Sequence, residues 1–157
     1  MRIEHGATLG VSLSDDYIGF CDSDMNKGQK SLSFITKNSR THLGTPMKEI
    51  AEYLRLIFNS RRYARVAVVA SEYGMSTKSF SAADLRSKQI GVVMLIASEL
   101  GVKFMEISAS SVALMATGKP RADYAGLTLA AESNGVRING QYAAEAYWIM
   151  MCANKDK

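Results

Sequence analysis

Hydrophobic and polar positions change their rhythm several times along the chain. Residues 7–14, 17–23 and 31–36 are short apolar-rich stretches, the first two separated by "SDD" and the third reading "SLSFIT", which predicts an antiparallel meander of three strands. The period then becomes helical. "TPMKEIAEYLRLIFNS" puts Met47, Ile50, Ala51, Leu54, Ile57 and Phe58 on one face, with Thr45 as N-cap and Pro46 at the first helical position. "ARVAVVAS" is a continuous apolar run, as expected of a central strand buried on both faces. A long helix is expected over residues 79–100, polar in its first half ("SFSAADLRSKQ") and apolar in its second ("IGVVMLIASEL"), with Gly101 ending it. That contrast predicts a projecting N-terminal half and a buried C-terminal half. "VKFMEIS" at 102–108 reads as another strand, and shorter helices follow near 109–116, 121–132 and 141–153.

The order βββαβαβααα predicts an α/β fold: a five-stranded mixed sheet with strands 1–3 antiparallel, strands 4 and 5 parallel, and helices at its flanks. At 157 residues, 47% of them hydrophobic, the chain is of ordinary size for one domain spanning 1–157 with a real core. Only Pro46 and Pro120 occur, and no repeat or low-complexity run marks a linker. The longest apolar run, Ile90 to Ala97, is too short to span a bilayer, and "MRIEHG" lacks a signal-peptide core, so a soluble cytoplasmic protein with no membrane partner is expected. Cys21 and Cys152 lack zinc or redox spacing and read as buried free thiols.

The net charge of +4 points weakly to a polyanionic partner. Its distribution says more: Lys27, Lys30, Lys37 and Arg40 surround the third strand, and Arg61, Arg62 and Arg65 precede the fourth. Lys78, Arg86 and Lys88 open the long helix, while Lys119 and Arg121 lie in "TGKPR". Either these residues are solvated surface, or the fold gathers Lys78, Arg86, Lys88, Lys119 and Arg121 into a nucleic-acid-binding cleft.

"TLGVSLSDDYIGF", through Gly10, Val11, Gly19 and Phe20, is similar to the first hairpin of the RuvC-type Holliday junction resolvases of the ribonuclease H-like superfamily. "VAVVASEYG" is similar to the strand that delivers a catalytic glutamate, here Glu72, and the long helix with Gly91 follows. "ATGKPRADYAG" resembles a basic segment of the family, and "GQYAAEAYWIM" its last helix, where two acids stand three residues apart. The resemblance covers nearly the whole chain and implies a ribonuclease H-like fold, a dimer and a junction-DNA partner.

The chain departs from that pattern where the chemistry belongs. Ser12 replaces the first-strand aspartate and Tyr142 the first acid of the last helix, leaving Glu72 and Glu145 of four catalytic carboxylates; Tyr124 stands where the family has lysine. Two-metal phosphodiester hydrolysis needs carboxylates converging on two ions about 4 Å apart, and a neutral hydroxyl is a poor anchor for Mg²⁺. Asp15 would point to the opposite face, and Asp16 is roughly 13 Å of extended chain beyond Ser12. No cofactor is therefore expected; Mg²⁺ or Mn²⁺ would be held by Glu72 and Glu145 if the site still cuts. Glu72 is either a solvated strand end or an inherited cleft residue; Glu145 either faces that cleft or pairs with a cation such as Arg137. Tyr17, Tyr142, Tyr147 and Trp148 are able to stack on bases, with core packing the better reading for Tyr147 and Trp148.

Three functions compete. The favoured one is a catalytically degenerate RuvC-like protein that binds branched or structured nucleic acid, or a protein partner, without efficient cleavage. The others are an active, divergent Mg²⁺-dependent junction endonuclease and a structural or interaction module on the same fold.

Overall fold

The computed structural model describes residues 6–14, 17–23, 32–35, 44–70 and 80–155. Its elements run β1 (Ala7–Leu13), β2 (Tyr17–Asp22), β3 (Leu32–Ile35), α1 (Gly44–Ser60), β4 (Tyr63–Val69), α2 (Phe80–Glu99), β5 (Lys103–Ile107), α3 (Ala109–Thr117), α4 (Tyr124–Ser133) and α5 (Gln141–Lys155). The order is the one that periodicity predicts. Boundaries move by a few residues: α4 starts at Tyr124 because the Asp123 side chain accepts from the Gly126 N–H and caps it.

The strands join a mixed sheet in the order β3-β2-β1-β4-β5. β1 pairs antiparallel with β2, and β2 with β3, whereas β1–β4 and β4–β5 are parallel. Alternation along β1 divides the core. Leu9, Val11 and Leu13 join Val66 and Val68 of β4 against Ile50, Leu54 and Phe58 of α1 and Ile90, Val93 and Ile96 of α2. On the opposite face, Ala67 meets a second cluster built by α3, α4 and α5, including Val112, Leu127, Tyr147 and Trp148. Trp148 donates its indole N–H to the Leu127 carbonyl at 2.9 Å, so this aromatic and Tyr147 are core residues.

Helix α2 corrects one expectation. Its C-terminal half is not buried all round: Ile90, Val93, Ile96 and Ala97 face the core, but Met94 and Leu95 are 45% and 57% exposed. Near the N-terminal end, residues 84–87 are half-buried instead of projecting. Composition by halves misled because α2 lies along the sheet, and helical period decides which face is covered. Gly101 ends the helix at φ 70°, in the left-handed region open to glycine.

Cys21 and Cys152 are buried free thiols. Asp22, at the far end of β2, is tied to the start of β4 by the Tyr63 hydroxyl and by Arg61 at 3.5 Å. Burial, then the hydrogen bond to Asp22, pushes the Tyr63 hydroxyl well above the usual tyrosine range. Among the described residues no helix is long and apolar enough to cross a membrane.

Candidate functional site

The polar face of β1 is read by α5, residue by residue. Thr8 donates to Asn154 Oδ1 at 2.6 Å, Gly10 lies under Ala146 and Met150, and Ser12 donates to Glu145 Oε1 at 2.7 Å. Two residues of strand advance about 6.6 Å and four of helix about 6 Å, so an antiparallel helix stays in step over this distance. Small residues make the approach possible. A Cβ on Gly10 would lie 2.1 Å from the Ala146 carbonyl oxygen, and one on Gly19 would lie 2.2 Å from that of Tyr142. The two glycines of the first hairpin thus have a packing reason: they let the backbone of α5 rest on β1 and β2.

This contact brings Ser12 and Glu145 together at the carboxyl end of β1, the edge where open α/β sheets usually bind ligands. Ser12 is fully buried. Burial pushes the Glu145 carboxyl above the ordinary glutamate range, opposed by the Ser12 hydrogen bond and by the positive charge of Arg86. Glu145 is bonded to Ser12 rather than to Arg137, and Arg86 is the cation whose charge favours its ionised form. Three residues earlier on α5, Tyr142 packs edge-on against Tyr124, ring centroids 5.1 Å apart and planes at 69°. The two aromatic departures from the family pattern therefore touch each other.

Helix α2 reaches the same end of β1. Gln89, 2% exposed, donates Nε2–H to the Ser14 carbonyl at 2.8 Å, two residues beyond Ser12 on the same chain. Its Oε1 and the Nε of Arg86, one turn earlier, are buried with no hydrogen-bond partner among the described residues. Sequence reasoning missed Gln89. Its signal was available: Gln89 shares a helical face with Val93 and Ile96, and a polar side chain on an apolar stripe needs a buried partner.

The other expected residues divide. Lys88 is exposed but pairs with Asp84 at 2.5 Å along the helix. Lys119 and Arg121 are exposed in the loop between α3 and α4 that leads into Tyr124. Glu72 and Lys78 lie outside the described residues, as do Asp15, Asp16, Lys27, Lys30, Lys37 and Arg40 and the side chain of Tyr17.

The described residues do not fit a two-metal centre. Among them no three His, Cys, Asp or Glu side chains could hold a metal ion. Ser12 turns its hydroxyl proton, not a free lone pair, toward Glu145. The positive charge of Arg86, which favours the ionised form of Glu145, would also oppose an incoming cation there.

The sequence matches no family model and no curated protein. Solved structures are a different matter. Thermus thermophilus RuvC in complex with a Holliday junction substrate superposes with a TM-score of 0.75 at 17% identity, over 94% of this chain and 92% of that one. This chain has the RuvC fold. A second structure of Thermus thermophilus RuvC gives 0.71 at 15% identity, covering 93% and 92%. The yeast mitochondrial Holliday junction resolvase gives 0.58 at 9% identity, over 92% of this chain and 76% of that protein. In each case the likeness extends over nearly the whole of this chain.

Proposed function

We propose that this protein is a single-domain RuvC-like protein that binds branched or structured nucleic acid without cutting it efficiently. The observation that carries this reading is Ser12, whose hydroxyl is spent on Glu145 at 2.7 Å at the strand position where the resolvase pattern calls for aspartate. A metal-dependent nuclease needs charged oxygens there. With Tyr142 committed to Tyr124, two of the four acid positions carry neutral side chains that already have protein partners. Glu72 and Glu145 then persist as inherited cleft acids, with neither Mg²⁺ nor Mn²⁺ as a working cofactor.

The likeness to a RuvC solved on a Holliday junction and the net charge of +4 support a nucleic-acid ligand. Among the described residues Lys119 and Arg121 are the best presented phosphate contacts, with Lys88 as a further exposed charge. Exposed Leu56 on α1 and Met94 and Leu95 on α2, helices that pack together, favour a second copy or a protein partner on that side.

Purified protein titrated into a four-way DNA junction tests this. Binding should be retained at low salt and weaken steeply as salt rises. Cleavage with Mg²⁺ should stay near background, because losing even one transition-state contributor often costs about 10²–10³ in rate. Symmetric nicking abolished by Glu72→Gln would establish the active nuclease instead. Failure to bind at low salt would favour the interaction module.

A further inference from the structure

Helix α5 takes part in two edge-on aromatic pairs, and they differ in what covers them. Tyr147 and Trp148 meet with ring centroids 4.9 Å apart and planes at 72°; they are 8% and 4% exposed and belong to the core. Tyr142 and Tyr124 meet in nearly the same geometry but are only half-buried. Core packing accounts for the first pair and leaves the open surface of the second unexplained. Both tyrosines have a fixed backbone. The Tyr142 carbonyl lies against Gly19, which faces Ser12 across the β1–β2 ladder, and Tyr124 opens α4 directly after its Asp123 cap. Ala122, Ala125 and Gly126 around Tyr124, and Ala143 and Ala144 after Tyr142, bring little side chain to shield the rings. The charge beside them is positive. Lys119 and Arg121 are exposed in the loop that leads into Tyr124, with about 10 Å of chain at most between Arg121 and Tyr124. The Thr117 hydroxyl holds that loop by accepting the Lys119 N–H at 3.2 Å. Aromatic surface next to exposed cations is the combination that holds an unpaired nucleotide, the base on the ring and the backbone on the charge. A base inside an intact duplex is stacked on both sides and out of reach.

We infer that Tyr124 and Tyr142 form a stacking site for an unpaired nucleobase, with Lys119 and Arg121 taking the phosphates beside it. This rests on the nucleic-acid-binding reading above and deepens it: the feature recognised is a nucleotide released from pairing, as at a bulge or a branch point. The edge-on contact orients each ring before the base arrives, so little side-chain freedom is lost on binding. Every base presents a π face, so the site tolerates all four. At the two positions where the resolvase pattern has a lysine and an acid, the chain thus carries a contact that works without a metal.

A DNA duplex carrying one unpaired 5-iodouracil, compared at low salt with a fully paired duplex of otherwise the same sequence, tests the site. The native chain should bind the bulged form about tenfold more tightly. Irradiation should cross-link the iodouracil to Tyr124 or Tyr142, as located by peptide mass spectrometry. Tyr124→Leu and Tyr142→Leu should each remove most of the preference, whereas Tyr142→Phe should keep it, because the ring and not the hydroxyl makes the contact. A role confined to packing would move the melting temperature and leave the ratio of the two affinities as it was. Equal native affinity for the two duplexes overturns the inference, as does a preference that both leucine variants retain. So does a cross-link found only at other residues, or none. Should the leucine variants not fold, the cross-link on the native chain decides by itself. The two readings fail differently: no binding to either duplex rejects the nucleic-acid-binding function as a whole, and binding to both without preference rejects the stacking site alone.

Discussion

Ser12 and Glu145 show how one hydrogen bond changes what a carboxylate is for. In the folded chain Glu145 is held above the ordinary glutamate range, chiefly by burial. The unfolded carboxyl ionises near pH 4.3 or so, while the folded one keeps its proton to higher pH. Between those values the folded state binds more protons than the unfolded state, so stability falls as pH rises through that interval. Glu145→Gln removes the titrating group and should flatten this part of the profile, measured by urea unfolding from mildly acidic to neutral pH. An unchanged slope would mean that Glu145 does not titrate abnormally. Ser12→Ala takes away a bond that favours the charged form, so it should extend the decline to higher pH.

The packing of α5 on the sheet is the element-level fact from which the Ser12–Glu145 pairing follows. Glycine serves different purposes in different elements, and alanine substitution separates them. Gly10→Ala would drive a methyl group into the backbone of α5 at Ala146, with no flexible side chain able to yield. A loss of about 3 kcal/mol is expected, with the Ser12–Glu145 pair pulled out of register. Gly91→Ala lies on an exposed face of α2, with nothing within 4 Å of the new Cβ. There, helix propensity should stabilise the fold by about 0.5–1 kcal/mol. Chemical denaturation of both variants checks the contrast; equal effects would show that α5 does not rest on β1 as closely as described.

Across the whole molecule, the basic residues no longer form one set. Lys119 and Arg121 are free to meet phosphates from their exposed loop, Lys88 is already paired with Asp84, and the Nε of Arg86 is buried. Reversing both charges, Lys119→Glu with Arg121→Glu, should weaken every DNA ligand by a similar factor. The slope of log affinity against log salt should fall by about 2, because two counterion-releasing contacts are lost. Lys88→Ala should do less, since its charge is offset locally. A sequence-selective loss, or a larger effect from Lys88 than from the loop pair, would place the nucleic-acid path elsewhere.

Local pattern by itself determined the order of strands and helices, the central place of β4, the buried face of α1 and the core roles of Tyr147 and Trp148. These properties depend on the period of apolar residues along short stretches, which the sequence displays directly. The resemblance to the resolvases, through what the chain replaces and what it keeps, also pointed to Ser12, Tyr142 and Tyr124 as departures and to Glu145 as a retained acid. What only the tertiary structure decided was pairing: Ser12 with Glu145, Tyr124 with Tyr142, Gln89 with the backbone of Ser14, and Arg86 facing inward while Lys119 and Arg121 remain exposed. Such pairs join residues far apart in the chain through the seating of α5 and α2 on the sheet. Charge counts and spacing cannot encode that seating, because it is set by where two helices find room against β1.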